Sequence, residues 1–175
     1  EQAPLTEVDS VILCRFSYLP LDGIVGETHE KPITIAEIAS SFFKTAEDGT
    51  ITHPDKVHLE DDVKLLTMMA ASRRFANLSV SGYANVLDYD LQKQFSAVTI
   101  WIGKETAYIS FRGTDSTLIG WKENLNMCFL TPVPAQDAAA AYVSALHGAN
   151  GCNLRLGGHS KGGNLAMYAA AFCAE

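Results

Sequence analysis

A short strand-like stretch, Asn153 to Gly157, runs without a linker into Gly158-His159-Ser160-Lys161-Gly162-Gly163, and a helix of small residues follows from Asn164 to Glu175. No other segment constrains the fold as tightly. Upstream, Ala135 to His147 reads as an Ala-rich helix with Gly148 as its stop. Strand, helix, strand, tight Gly-rich turn, helix is the order of a parallel α/β sheet. The expectation is therefore an α/β domain with a mostly parallel sheet and flanking helices.

Thr6 with Asp9 three residues on is a capping pattern, and Val8, Ile12, Phe16 and Leu19 follow at helical spacing until Pro20. A second helix opens at Thr34, where Glu37 closes a capping box and Ile33 and Ile38 form a hydrophobic staple; Asp48-Gly49 is its expected end. A third runs from about Leu59 to the basic pair Arg73-Arg74, with a loop over about residues 47–58 before it. Residues 78–88, 94–103 and 106–112 are rich in β-branched and aromatic side chains, and Gly103-Lys104-Glu105 reads as a hairpin turn. With 47% hydrophobic and 19% charged residues, the 175-residue chain has material for one core. It divides into a mostly helical part, 1–76, and a sheet core, 77–175, of a single incomplete domain. No Gly, Asn or Pro stops the last helix, so the chain reads as a fragment truncated after it.

Composition narrows the functional classes. A net charge of −7 argues against a phosphate-tracking surface and hence against nucleic acid. No apolar run is long enough to span a membrane, and the first residues, EQAPLTEVDS, carry neither a basic region nor an apolar one of a signal peptide; a cytoplasmic location is the expectation. Cys14, Cys128, Cys152 and Cys173 lie far apart and read as free thiols of a reducing compartment. His29-Glu30 would begin HExxH, but Ile33 stands where the second His is needed, and His53 and His58 read as solvated. Neither a metal nor an organic cofactor is implied.

Gly158-x-Ser160-x-Gly162 between a strand and a helix would hold Ser160 in a strained turn with its hydroxyl exposed. A Cβ at 158 or 162 would collide with neighbouring backbone, while Gly163, Ala166 and Ala170 would let the helix approach the sheet. The N–H of Lys161, at a helix N-terminus, is placed to stabilise an oxyanion. The plainer reading is a Gly-rich turn with an incidental serine. A phosphate loop is not matched, because the lysine precedes the glycines. A second segment, Ile109-Ser110-Phe111-Arg112-Gly113-Thr114-Asp115, ends a strand at a turn, and Thr114 there is a candidate second oxyanion donor through its N–H or hydroxyl. Alternatively, Thr114 and Asp115 simply satisfy that turn.

Together, FRGTD followed by Trp121 and Asn124, then GHSKGG, resemble the class 3 lipases of the α/β-hydrolase superfamily. EVDSVILCRFSYLPLDG, GWKENLNM, TPVPAQ and GGHSKGGNLAMYAA are similar to a bacterial branch of those lipase-like proteins. The resemblance touches residues 7–23 and about 95–175. It implies an α/β-hydrolase sheet, Ser160 as catalytic nucleophile, Thr114 and Lys161 as oxyanion donors, and a small-molecule or lipid ester as substrate. It also implies a triad in the order Ser, Asp, His, yet no Asp or His follows Ser160. Of His29, His53, His58, His147 and His159, none has that order, so the base and acid are expected beyond residue 175 and the chain alone is expected to be almost inert. Pairing with a missing C-terminal part, or self-association, is the expected fate of the surface so exposed. The rival expectation is a non-catalytic hydrolase-like module that binds or regulates through the same cleft.

Overall fold

A computed structural model describes residues 3–47 and 59–173. Their element order is α1 (Glu7–Phe16), β1 (Ile33–Thr34), α2 (Ile35–Glu47), α3 (Leu59–Ala71), β2 (Ser79–Asp88), β3 (Lys93–Gly103), β4 (Thr106–Phe111), α4 (Leu118–Asn126), α5 (Pro134–Asn150), β5 (Asn153–Gly158) and α6 (Lys161–Phe172). The expected stop of α2 at Asp48-Gly49, the loop around 48–58 with His53 and His58, and residues 174–175 lie outside the described residues.

The sheet corrects the expected topology. Its five strands lie in the order β1-β2-β3-β4-β5. Among the described residues, each neighbouring pair from β1 to β4 is antiparallel, and the pair β4 and β5 is parallel. This is a mixed, mostly antiparallel sheet, not the mostly parallel sheet of an α/β-hydrolase. The reason lies in the connections. Residues 89–92 join β2 to β3 and residues 104–105 join β3 to β4. Loops that short link only antiparallel neighbours, whereas a parallel pair needs a crossover of a dozen residues or more. The segment between β4 and β5, which carries α4 and α5, is long enough for a crossover; the segment between β1 and β2, which carries α2 and α3, is also long, yet its strands pair antiparallel. The hairpin at Gly103-Lys104-Glu105 was legible; the strand-helix-strand order downstream of it describes one strand pair rather than the sheet.

Helices cover both faces. Leu13, Phe16, Leu19, Ile35, Ile38, Phe42, Leu66 and Met69 of the N-terminal layer pack on Val80, Val98, Ile100 and Tyr108. On the other face, Ala135, Ala139 and Val143 of α5 and Leu165, Ala166 and Ala169 of α6 pack on Phe95, Ala97, Ile109 and Phe111. The N-terminal part also enters the sheet itself, since Ile33 pairs with Val80 and Thr34 with Ser79. That two-residue strand is too short to leave a periodic signal. Directly after those paired residues of β2, a bulge between Ser81 and Ala84 is held by Gly82 at φ +64°. The amides of Gly82 and Tyr83 there donate to the carbonyls of Thr28 and Gly26.

The capping signals are realised as read. Thr6 Oγ1 accepts from the Asp9 amide, and the Asp9 carboxylate accepts from the Thr6 amide at 2.7 Å. Glu37 and Thr34 repeat the arrangement at α2. Helix α5 overshoots its expected stop. It passes Gly148 and ends at Gly151, whose φ of +58° closes the C-terminus with its N–H on the His147 carbonyl. Helix α6 ends at Phe172, with the Cys173 amide on the Ala169 carbonyl.

Asp9 does more than cap. Its buried carboxylate is gripped by Arg74, Nε on Oδ1 at 2.6 Å and Nη2 on Oδ2 at 2.5 Å, which ties α1 to the chain just after α3. The Arg74 hydrogen bonds hold the Asp9 carboxyl well below the usual carboxylate range. A carboxylate with a depressed folded-state pKa contributes stability above its unfolded value, about pH 4, and loses it as the pH falls below that. Asp9→Asn is therefore expected to be less stable than wild type at pH 7, with the difference narrowing progressively below about pH 4. Urea titrations across that range check it; a difference independent of pH would contradict it.

Candidate active site

The serine turn grows out of the one parallel strand pair. Phe111 at the end of β4 sits opposite Gly158 at the end of β5, so both chains leave the sheet side by side at its carboxyl edge. Ser160 then adopts φ +57°, ψ −125°, a region that residues with a Cβ rarely occupy, and α6 begins at Lys161. Such a conformation costs about 1–3 kcal/mol and persists only where its surroundings over-determine it. Here they do. A Cβ on Gly158 would collide with the backbone of Gly162 and stand 2.7 Å from the Phe111 carbonyl oxygen; one on Gly162 would collide with that same oxygen. The glycines let the turn press onto the end of β4. Within it, the Gly162 amide donates to the His159 carbonyl and the Gly163 amide to the Ser160 carbonyl, both at 3.0 Å.

Ser160 is exposed, and its hydroxyl is not spent on capping α6. The Lys161 amide is the first of that helix and points, as all first-turn amides do, out of its N-terminus. Along α6, Ala166 and the fully buried Ala169 make the close approach to the sheet, while Ala170 is exposed. Of the small residues read for this approach, Ala166 is in place, Gly163 lies where a Cβ would stand 3.1 Å from the Gly158 carbonyl oxygen, and Ala169 takes the place expected of Ala170.

The loop after β4 arrives at the same place. A Cβ on Gly113 would stand 2.6 Å from the His159 carbonyl oxygen and 3.4 Å from Ser160 Cβ, so the Gly113 backbone lies directly against the serine turn. Thr114 comes next, with an Oγ1 that is sealed from solvent and has no hydrogen-bond partner. An orphaned hydroxyl at that point is a donor in reserve. Asp115 settles the turn: its Oδ1 accepts from the Thr117 amide at 3.0 Å and from Thr117 Oγ1 at 2.5 Å, and Thr117 caps α4. Of the two readings offered for these residues, Asp115 takes the structural one, and Thr114 is left with an unused hydroxyl.

Two features escaped the sequence. The first is the Lys161 side chain. Its ammonium is wholly buried and donates to the Gln94 carbonyl at 2.6 Å, to Gln94 Oε1 at 2.7 Å and to Glu123 Oε2 at 2.8 Å. Glu123 is equally buried and also accepts from the amides of Gln94 and Ala135. Burial pulls the Lys161 ammonium below its ordinary range, and Glu123 opposes that pull. A usable signal existed, because Glu123 stands four residues after Ile119, on the buried face of α4. The second is Tyr18, whose hydroxyl is 3.0 Å from His159 Nδ1 and takes a hydrogen bond from the Gly113 amide. Burial raises its pKa. Arg15 stacks over the Tyr18 ring at 4.9 Å. Beside His159 a cavity of about 460 Å³ opens between α1 and β5, lined by Val11, Cys14, Arg15, Tyr108 and Leu156 among others.

The other described histidines, His29 and His147, lie elsewhere. His29 packs among Trp101, Tyr142 and Ser81, and burial lowers its pKa. His147 lines a groove between α5 and α6.

Fold and site define a mixed α/β domain carrying a strained serine turn where two parallel strands end. Residues 69–175 match the model of the Mbeg1-like family, and the chain belongs to that family. No curated protein and no solved structure matches it.

The backbone strain has a measurable consequence. Ser160→Gly is expected to raise stability by about 1 kcal/mol, because glycine adopts φ +57° without the Cβ penalty. Ser160→Ala keeps the Cβ and is expected to stay within about 0.5 kcal/mol of wild type. Gly158→Ala is expected to lose about 3 kcal/mol or more through its backbone collisions. Unfolding midpoints in urea check all three.

Proposed function

We propose that the protein is a serine-dependent ester hydrolase of the lipase or esterase type, acting through an acyl-enzyme on Ser160. The observation that carries this reading is the Ser160 backbone, φ +57° and ψ −125°, at an exposed strand-to-helix turn. Strain of this kind cluster at active sites, and a turn of this shape lifts a nucleophile clear of the sheet edge. Attack on an ester carbonyl develops negative charge on its oxygen. The first amide of α6, at Lys161, is one donor for that charge, and Thr114, with its unpartnered hydroxyl and its N–H, is the second. The likeness of FRGTD and GHSKGG to class 3 lipases supports the same assignment. An apolar ester fits the surroundings. Leu118, Trp121 and Leu125 recur at helical spacing along α4 and stand exposed, three residues after Asp115.

The reaction needs a base to take the serine proton and an acid to orient that base; the lipase-like order places both after Ser160 in the chain. The assay uses the full-length gene product. A fluorophosphonate probe is expected to label wild type at Ser160 and to leave Ser160→Ala unlabelled, read by mass spectrometry. Hydrolysis of a short activated ester is expected to fall at least about 10⁴-fold in Ser160→Ala. Thr114→Val, which keeps the shape and removes the hydroxyl, is expected to lower kcat by about 10- to 100-fold with KM little changed. A folded wild-type protein that takes no label would instead favour a non-catalytic module binding through this cleft.

A further inference from the structure

We infer that Lys161 and Glu123 are positioning residues for the serine turn: their buried contact, reached from the residue directly after Ser160, sets where the Ser160 hydroxyl and the Lys161 amide point. This rests on the hydrolase reading of Ser160 and deepens it.

Lys161 presents its amide at the mouth of the site and sends its side chain the other way, into the protein. The ammonium has three N–H groups, and three acceptors take them: the Gln94 carbonyl, Gln94 Oε1 and Glu123 Oε2. The carboxylate is just as fully used, by Lys161, by the Gln94 amide and by the Ala135 amide. One node thereby joins the start of β3, the middle of α4, the first turn of α5 and the residue after the nucleophile. Gln94 on β3 and Glu123 on α4 hold the ammonium directly, and the Ala135 amide of α5 holds Glu123 in turn, so two elements fix the direction of the Lys161 side chain.

An ion pair is a poor choice for mere filling. Replacing a buried pair with well-packed apolar residues is often neutral or stabilising. What the pair supplies is direction, since each N–H must meet its acceptor at a set angle and distance. Direction is what a serine held at φ +57° requires. The strained turn has a lower-energy alternative, and only contacts beyond the turn itself keep it from relaxing. Gly158 and Gly162 permit the turn. Lys161, clamped beneath it, holds the exit.

The test uses the full-length protein and two variants. The double variant Lys161→Met with Glu123→Leu removes the charges together and refills the space, so it is expected to fold with a Tm near that of wild type or above. Its fluorophosphonate labelling rate and its kcat are expected to fall about 100-fold, with KM nearly unchanged, because a misplacement near 1 Å costs about that much. The single variant Lys161→Arg keeps a charge on Glu123 and is expected to recover part of the lost rate. A merely structural role predicts otherwise: a stable double variant labelling at the wild-type rate overturns the inference. Should wild type itself take no label, the hydrolase reading fails, and a crystal structure of the double variant still decides the positioning. Ser160 relaxed to negative φ supports it, and Ser160 held near +57° overturns it.

Discussion

A lysine ammonium walled off from water and divided among Gln94 and Glu123 is the contact on which the site of this protein depends. Taking both charges out of water costs several kcal/mol each, and their attraction repays this only with full hydrogen-bond satisfaction. The satisfaction is complete on the lysine, and the carboxylate takes three donors. Losing one partner would strand the other charge, a cost of about 3–5 kcal/mol. The same contact joins the covered face of α4 to the turn that carries Ser160. The exposed face of that helix, with Leu118, Trp121 and Leu125, is therefore presented from a fixed base rather than from a free segment.

From that anchor the geometry proceeds by close approach. Gly158, Gly162 and Gly113 each sit where a Cβ would strike backbone, so the turn after β5 and the loop after β4 are in direct contact. Tyr18 bridges the two from the side of the N-terminal layer, with Gly113 on one side of its hydroxyl and His159 on the other. The N-terminal helices are thus not a separate cap on the sheet. They pack on it, lend it a strand and reach its carboxyl edge through one tyrosine.

Farther out, Arg112 continues the polar band beneath the site. It is buried, donates from Nη2 to Asn85 at 2.9 Å, and has Asp115 at 3.6 Å. Its backbone amide meets the Ser96 carbonyl across the sheet. Phe111, Arg112, Gly113, Thr114 and Asp115 accordingly divide their work: Phe111 in the core, Arg112 under the loop, Gly113 against the serine turn, Thr114 with its hydroxyl unclaimed, Asp115 holding the cap of α4.

Local chemistry by itself determined much of this protein. The capping boxes at Thr6 and Thr34, the hairpin at Gly103-Lys104-Glu105, the strand into Gly158 and the turn at Ser160 are all written in residues within a few positions of one another. Their causes are local: a side chain bonding an amide three residues away, or a glycine admitting a φ that other residues resist. What only the tertiary structure decided involves partners far apart in the chain. The antiparallel course of β1 to β4, the two-residue strand at Ile33, the switch from Ala170 to Ala169 as the packing face of α6, and above all the meeting of Lys161 with Gln94 and Glu123 depend on which surfaces come together. A lysine after a serine reads as surface in any sequence, because charge seeks water. It is buried here because folding brings three acceptors to one point, and no periodicity or spacing along the chain records that convergence.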